Sequence, residues 1–265
     1  MSVMKSFSLE GKNALITGGN GGIGFAIARA YSEAGARVAF VCSRESSLEQ
    51  GLKNYKEAGI DVKGYICDIT DEARVSELVA SVERDLGCID ILVNNAGVIK
   101  RTPTHEMSVE DFRRVIDVDL TAQFIVTKAV ITGMMARRSG KIINIGSIMS
   151  EVGREGVAAY NAAKGGLKIF TRSLASEYAG YGINVNAIGP GFTETDMTIP
   201  LRTALADGSK HPFSAYVEKR TPAGRWGTTT DMEGPALFLA SSASDYVNGH
   251  MLYVDGGLVS SIGKM

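Results

Sequence analysis

The sequence predicts an α/β fold built on one doubly wound parallel sheet, and three observations predict it. Short apolar runs alternate with helix-patterned segments almost to the C-terminus, the pattern of parallel strands joined by right-handed crossovers. The first run passes straight into a glycine-rich turn, Thr17-Gly-Gly-Asn-Gly-Gly-Ile-Gly24, and a helix starts there. Runs such as residues 89–93 are apolar throughout rather than alternating, as strands covered on both faces are.

In order, residues 13–17 read as a strand and 23–34 as a helix ended by Gly35. Residues 37–41 form a second strand, followed by a polar-faced helix over 46–58, capped by Ser46 and stopped by Gly59. A third strand spans 62–66, and helix 71–86 follows with Val75, Leu78, Val79 and Val82 on one face. After the strand at 89–93, Ser108-Val-Glu-Asp111 looks like a capping box opening one long helix to about residue 137. Strand 141–145, helix 157–178 and strand 183–188 come next. Residues 192–226 are polar and hold most of the remaining prolines, and helix 230–240 with strand 251–254 completes the chain. No internal repeat, low-complexity segment or linker interrupts it, so residues 1–265 read as a single domain.

Composition limits the function classes. The 265 residues suffice for one sizeable core, and 45% hydrophobic with 22% charged residues is ordinary for a globular protein. A net charge of -1 with no block of like charges argues against nucleic acid or an anionic membrane as partner. No apolar run is long enough to span a bilayer, and the opening residues lack the apolar core of a signal peptide. Cys42, Cys67 and Cys88 are widely spaced with no CxxC pair, so reduced thiols in a cytoplasmic protein are expected. His105, His211 and His250 are isolated, and no metal site is expected.

Two stretches carry chemistry. In residues 147–164 a serine closes an apolar run, and Tyr160 and Lys164 lie four residues apart on a helix-favouring segment. That spacing puts phenol and ammonium on one helix face, where the cation favours phenolate and permits proton exchange near neutral pH. Moving a phenol from about 10 to near 7 corresponds to roughly 4 kcal/mol. The second stretch is the glycine turn, where Gly18, Gly22 and Gly24 let backbone N–H groups approach a pyrophosphate at a helix N-terminus. A glycine-rich turn alone also suits a plain strand-to-helix connection; its place after the first strand favours a dinucleotide. The second strand ends Phe40-Val-Cys-Ser-Arg44 with no acid at its tip. Ser43 and Arg44 offer a hydroxyl and a guanidinium suited to a 2′-phosphate, so NADP(H) is expected over NAD(H), with Glu45 as the residue that competes for the ribose.

The glycine loop, Asn94-Asn-Ala-Gly97, Ser147, the Tyr160/Lys164 pair and Pro190-Gly191 occur in the order of the short-chain dehydrogenase/reductase family, which the chain resembles over nearly its whole length. The resemblance implies a Rossmann-type sheet of seven parallel strands and a homotetramer. It implies Tyr160 as general acid/base, Lys164 lowering its pKa and holding the nicotinamide ribose, and Ser147 orienting the substrate oxygen. Gly18, Asn20, Gly22, Ile23 and Gly24 belong to the cofactor turn, with Ser43 and Arg44 beyond it. Asp68 and Ile69 would lie on the adenine side, and Asn94, Asn95, Ala96 and Gly97 would line the groove. Pro190, Gly191, Thr193 and Thr195 would hold the carboxamide. One departure stands out: the family usually has Asn where this chain has Asp119, in Val118-Asp-Leu-Thr121. Asp119 is retained as a site residue, with a carboxylate close to Lys164 expected to alter its charge balance.

Segments outside the common framework resemble sugar-acid-specific members of the family. A sugar acid needs a cation for its carboxylate, and Arg101 and Arg154 lie on loops expected at the carboxyl ends of the strands. Arg101 is the expected carboxylate partner, and Glu155 is set either to accept from hydroxyls or to pair with Arg154. Lys210 and His211 sit on the 192–226 segment, long enough to act as a lid over the substrate. Two alternatives stay open at this level. One is the same chemistry on another keto-sugar acid or a 3-oxoacyl carrier-protein thioester; the other is a non-catalytic cofactor-binding regulator.

Overall fold

The structure, a computed structural model, describes residues 3–261; the first two and last four residues of the expected 1–265 domain lie outside the described residues. One sheet has the strand order β3-β2-β1-β4-β5-β6-β7. Its strands are β1 (Asn13–Thr17), β2 (Arg37–Cys42), β3 (Val62–Ile66), β4 (Ile91–Asn94), β5 (Gly140–Ile145), β6 (Ile183–Pro190) and β7 (Met251–Val254). Every pairing is parallel, and β1 lies inside the sheet, with Leu15 opposite Ala39 on one side and Leu92 on the other. The seven strands and their crossovers agree with the sequence reading.

Helices cover both faces, as strands apolar on both sides demand. On one face α3 (Glu72–Leu86), α5 (Ala122–Arg137) and α6 (Ala158–Tyr178) bury Val79, Val130 and Leu174 against Leu15, Val41 and Leu92. On the other, α1 (Gly22–Glu33), α2 (Glu45–Glu57) and α8 (Glu233–Ala240) bury Ile27, Tyr55 and Leu239 against Ile16, Val38 and Phe40. The strand order reverses between β1 and β4, and at such a switch point a crevice opens beyond the carboxyl ends of the strands.

Three local expectations change. The second helix starts at Glu45, with Arg44 in extended conformation as its N-cap and no side-chain capping bond, so Ser46 lies inside the first turn rather than capping it. The expected long helix over 108–137 is divided into α4 (Val109–Ile116), a π-helical turn (Asp117–Thr121) and α5. Ser108 does cap α4, accepting from the Asp111 N–H at 3.0 Å. The Asp111 carboxylate faces Lys100 at 3.0 Å, so only the serine half of the capping box forms. Finally, residues 192–226, to which the sequence reading assigned no element, hold a 3-10 turn (Asp196–Leu201) and the helix α7 (Pro212–Arg220). Pro212 occupies the first helical turn, where its missing N–H has no partner to lose.

Candidate active site

Beyond the strand ends lies a cleft of about 1180 Å³, walled by the glycine turn, the β4 and β5 ends, the π turn, α6 and the segment after β6. The glycine turn is shaped by close approach. Gly18 and Gly22 have φ of +65° and +55°, in the left-handed region that favours glycine. A Cβ at Gly24 would sit 2.5 Å from the Gly18 carbonyl oxygen, so the first turn of α1 packs directly on the loop. Tyr55 donates its hydroxyl to the Gly19 carbonyl from α2.

The β4 end is tied to this loop across the switch point. The Thr17 hydroxyl accepts the Asn95 and Ala96 N–H groups at 3.0 and 3.1 Å. The Asn95 amide donates to the carbonyls of Thr17 and Gly18 at 2.9 and 3.0 Å. Asn94 points away from the cleft, into a buried chain through Asn144 (2.9 Å) and Thr127 (3.0 Å). Its expected place in the groove is therefore corrected: it braces the sheet below, and Asn95 faces the cleft.

The π turn sets the next residue. The Ala122 N–H reaches back five residues to the Asp117 carbonyl, and the Val118 carbonyl is taken instead by the Gln123 side-chain amide at 2.9 Å. The same amide nitrogen donates to the Ala96 carbonyl at 2.9 Å, locking the turn to the β4 loop. Asp119 is thereby driven inward and is fully buried. Its Oδ1 accepts the Val98 N–H at 2.7 Å, and its Oδ2 stands 3.2 Å from Lys164 Nζ. The geometry at Oδ2 makes an ion pair without a regular hydrogen bond. Lys164 also donates to the Ile145 carbonyl at 2.9 Å, and its Nζ lies 5.6 Å from the centre of the Tyr160 ring. Gly97 leaves room for the carboxylate, since a Cβ there would come within 2.9 Å of Oδ2.

Burial pushes the Tyr160 phenol up; Lys164, the Ser147 hydroxyl and Arg101 pull it down, but Asp119 pushes it up further, and the net direction is upward. The protein's own groups therefore do not bring the phenol down, because burial outweighs the ammonium and the carboxylate adds to it. Burial disfavours charge on Lys164, yet Asp119 and Tyr160 outweigh it and hold the ammonium above the usual lysine range. Burial raises Asp119 against the pull of Lys164.

All the expected cofactor residues line the cleft except Asn94 and Gly24, whose role is packing. The glycine cradle, the Ser43/Arg44 corner and the Pro190–Thr195 wall suit a dinucleotide whose pyrophosphate meets the start of α1. Asp68 is pinned by Thr70, whose hydroxyl and N–H donate to it at 2.7 and 3.0 Å and hold its carboxyl below the usual range. Ser47, three residues into α2 from Arg44, joins that corner; the i, i+3 spacing of Arg44 and Ser47 was the available signal. Arg114 on α4 lines the cleft and acts electrostatically on Asp68; its neighbours gave no sign of it, because the π turn sets the phase of α4.

Of the substrate residues, Arg101 and Arg154 line the cleft with Ser147 and Tyr160, whereas Glu155 and His211 do not. Arg101 donates to the Met197 carbonyl at 3.1 Å. Arg154 lies 4.4 Å over the Phe213 ring and 5.9 Å from Phe192. Among the described residues neither guanidinium forms an ion pair, although burial disfavours the charge on both. Glu155 is exposed and acts on Arg154 only at a distance. His211 spends its imidazole as the cap of α7, Nδ1 accepting the Phe213 N–H at 3.1 Å. Lys210 pairs with Glu218 at 2.7 Å. Among the described residues no helix is long and apolar enough to cross a membrane, and no cluster has the makings of a metal site.

The family model described as "Enoyl-(Acyl carrier protein) reductase" matches residues 18–259. A 2-dehydro-3-deoxy-D-gluconate 5-dehydrogenase of Formosa agariphila is 48% identical over 97% of this chain and 96% of its own. The structure of a 2-keto-3-deoxy-D-gluconate dehydrogenase from Streptococcus agalactiae has 55% identity and a TM-score of 0.84, covering 97% of each chain. That of a gluconate 5-dehydrogenase from Burkholderia cenocepacia, in complex with NADP and tartrate, has 39% identity and a TM-score of 0.91. It covers 98% of this chain and 100% of the other.

Proposed function

The chain belongs to the short-chain dehydrogenase/reductase family, and from that premise we propose that it interconverts D-gluconate and 5-keto-D-gluconate with NADP(H). One observation carries the substrate reading: Arg101 and Arg154, without carboxylate partners among the described residues, face the same cleft as Tyr160. Two cations on one cleft, Arg101 exposed and Arg154 half-buried, favour an anionic ligand, and a sugar acid has its carboxylate at one end and carbinols along its length. The reaction is D-gluconate + NADP+ ⇌ 5-keto-D-gluconate + NADPH + H+.

When bound, the nicotinamide supplies the hydride acceptor or donor. The chain's residues do the rest. Tyr160 takes the C5 hydroxyl proton as phenolate, or returns it as phenol to the 5-keto oxygen. Ser147 orients that oxygen from the β5 end, and Lys164 holds the nicotinamide ribose and favours phenolate. Asp119 works with Lys164. Arg101 and Arg154 fix the carboxylate, while the segment over 192–226, stiffened by α7 and the Phe192–Trp226 contact at 5.8 Å, covers the substrate. Ser43, Arg44 and Ser47, with no acid at the β2 tip, support preference for NADP(H) over NAD(H). Exposed Val109, Phe124 and Ile169 on α4, α5 and α6 support assembly through those helices; we take the assembly to be a homotetramer of the cytoplasm.

A second reading, oxidation of 2-dehydro-3-deoxy-D-gluconate, is favoured by the 48% and 55% identities. NADP+ reduction with D-gluconate, 2-dehydro-3-deoxy-D-gluconate and a 3-hydroxyacyl thioester separates the possibilities. Turnover of D-gluconate supports the first reading, and a preference of tenfold or more for the deoxy acid gives the second. Thioester turnover alone overturns both. Silence across a broad carbinol and carbonyl panel favours a non-catalytic cofactor-binding protein. Arg101→Ala is expected to raise KM for the sugar acid and spare that for the cofactor.

A further inference from the structure

The buried pair of Asp119 and Lys164 has a consequence for the direction in which the site works. Asp119 is 0% and Lys164 3% exposed, and the Asp119 Oδ2 lies 3.2 Å from Nζ. The charge of Lys164 is thus already answered by a carboxylate, and the Tyr160 ring centre is 5.6 Å from Nζ. The charged groups acting on the phenol are Lys164 from α6, Asp119 from the π turn and Arg101 from the loop after β4; Ser147 is the neutral neighbour.

We propose that Asp119, acting through Lys164, keeps Tyr160 in its phenol form near neutral pH and so suits the site to carbonyl reduction there, moving carbinol oxidation to alkaline pH. Reduction needs a phenol that gives a proton to the forming alkoxide; oxidation needs a phenolate that removes one. The overall equilibrium belongs to the substrates. What Asp119 sets is the pH at which each direction runs. Asp119 acts upward on the phenol, beside the larger effect of burial. The inference rests on the reading of Tyr160 as the acid/base, and it identifies Asp119 as a positioning residue rather than a catalytic one.

Asp119→Asn is the direct test, because it removes the charge and keeps an oxygen for the Val98 N–H. With NADP+ bound, the 13Cζ resonance of Tyr160, assigned by comparison with Tyr160→Phe, is titrated in the parent and the variant. The midpoint is expected to fall by about one unit in the variant, the scale of one nearby charge in a part-buried site. The alkaline rise of kcat/KM for oxidation should move by the same amount, with kcat at the optimum within about tenfold. An unchanged or higher midpoint overturns the proposal, as does a lower rate with an unmoved pH profile, which marks a merely structural role. Should the variant not fold, 13Cγ-labelled aspartate in the parent protein decides: an ionised Asp119 at pH 7 is required, and a neutral one overturns the idea. The phenol titration needs no substrate, so a failed sugar-acid assay leaves it readable.

Discussion

Replacing Lys164 with Met removes the ammonium and keeps most of the stem that packs in the interior. The lysine is 3% exposed, donates to the Ile145 carbonyl at 2.9 Å and stands 3.2 Å from a carboxylate that is itself 0% exposed. Losing one partner of such a pair costs about 3–5 kcal/mol, because the other charge is left buried without compensation. In a chain of this size each kcal/mol moves Tm by about 2–4 °C, so the expected fall is on the order of 10 °C. The loss should depend on pH in a definite direction. Burial raises the Asp119 carboxyl and Lys164 opposes that rise, so without the lysine the folded-state pKa climbs further above the unfolded one. A carboxyl shifted this way contributes stability below its unfolded pKa, and that contribution is lost as pH rises through the folded value. The variant should therefore recover toward the parent as the solution is made more acidic. Lys164→Met with Asp119→Asn should regain at least about 2 kcal/mol at neutral pH. Urea unfolding of the four proteins at several pH values measures this. A single variant within about 1 kcal/mol of the parent, or a deficit that does not change with pH, refutes the reasoning.

Other consequences are as concrete. Tyr160→Phe should lower kcat by about 10²–10⁴-fold and leave the NADPH dissociation constant, read by nicotinamide fluorescence, within threefold or so. Arg44→Ala should raise KM for NADP+ tenfold or more and leave that for NAD+ nearly unchanged, since a lost 2′-phosphate contact is worth about 1.5–3 kcal/mol. Steady-state kinetics with both cofactors checks it, and equal weakening for the two would remove Arg44 from the phosphate corner. Gly24→Ala forces a Cβ to 2.5 Å from the Gly18 carbonyl oxygen and 2.6 Å from the Asn95 side-chain amide. About 1–3 kcal/mol of stability should be lost together with cofactor affinity, as denaturant unfolding and a fluorescence titration would show.

How much of this was legible in the sequence depended on whether local chemistry determined the outcome. The seven strands were readable because runs such as Ile91–Asn94 are buried on both faces and carry no competing helical period. The Tyr160/Lys164 pair was readable because one helix fixes both. The π turn was not: Asp117 to Thr121 has ordinary helical composition, and the extra residue is stabilised by Gln123 bonding to Val118 and to a loop distant in sequence, at Ala96. The helix α7 was hidden by Pro212, which signals a break yet fits a first turn. Two polar residues were assigned to substrate from loop position alone, and each has another environment, His211 capping a helix and Glu155 exposed to solvent. Ser46 was read as a cap because its hydroxyl is suitable, but the backbone turns helical one residue earlier, at Glu45.

The five-residue turn from Asp117 to Thr121 also works as a counting device. One residue more than a regular helix needs is stored there, and each helical residue is worth about 100° of rotation. Deleting a single residue from it would let α4 and α5 fuse into one regular helix. Everything on the amino-terminal side would then turn by about that angle, carrying Val115 off its packing against Ala159 and Ala163. Side-chain identity could be preserved at every remaining position and the site would still come apart, because its phase, rather than any one group in it, depends on the chain's length at that point.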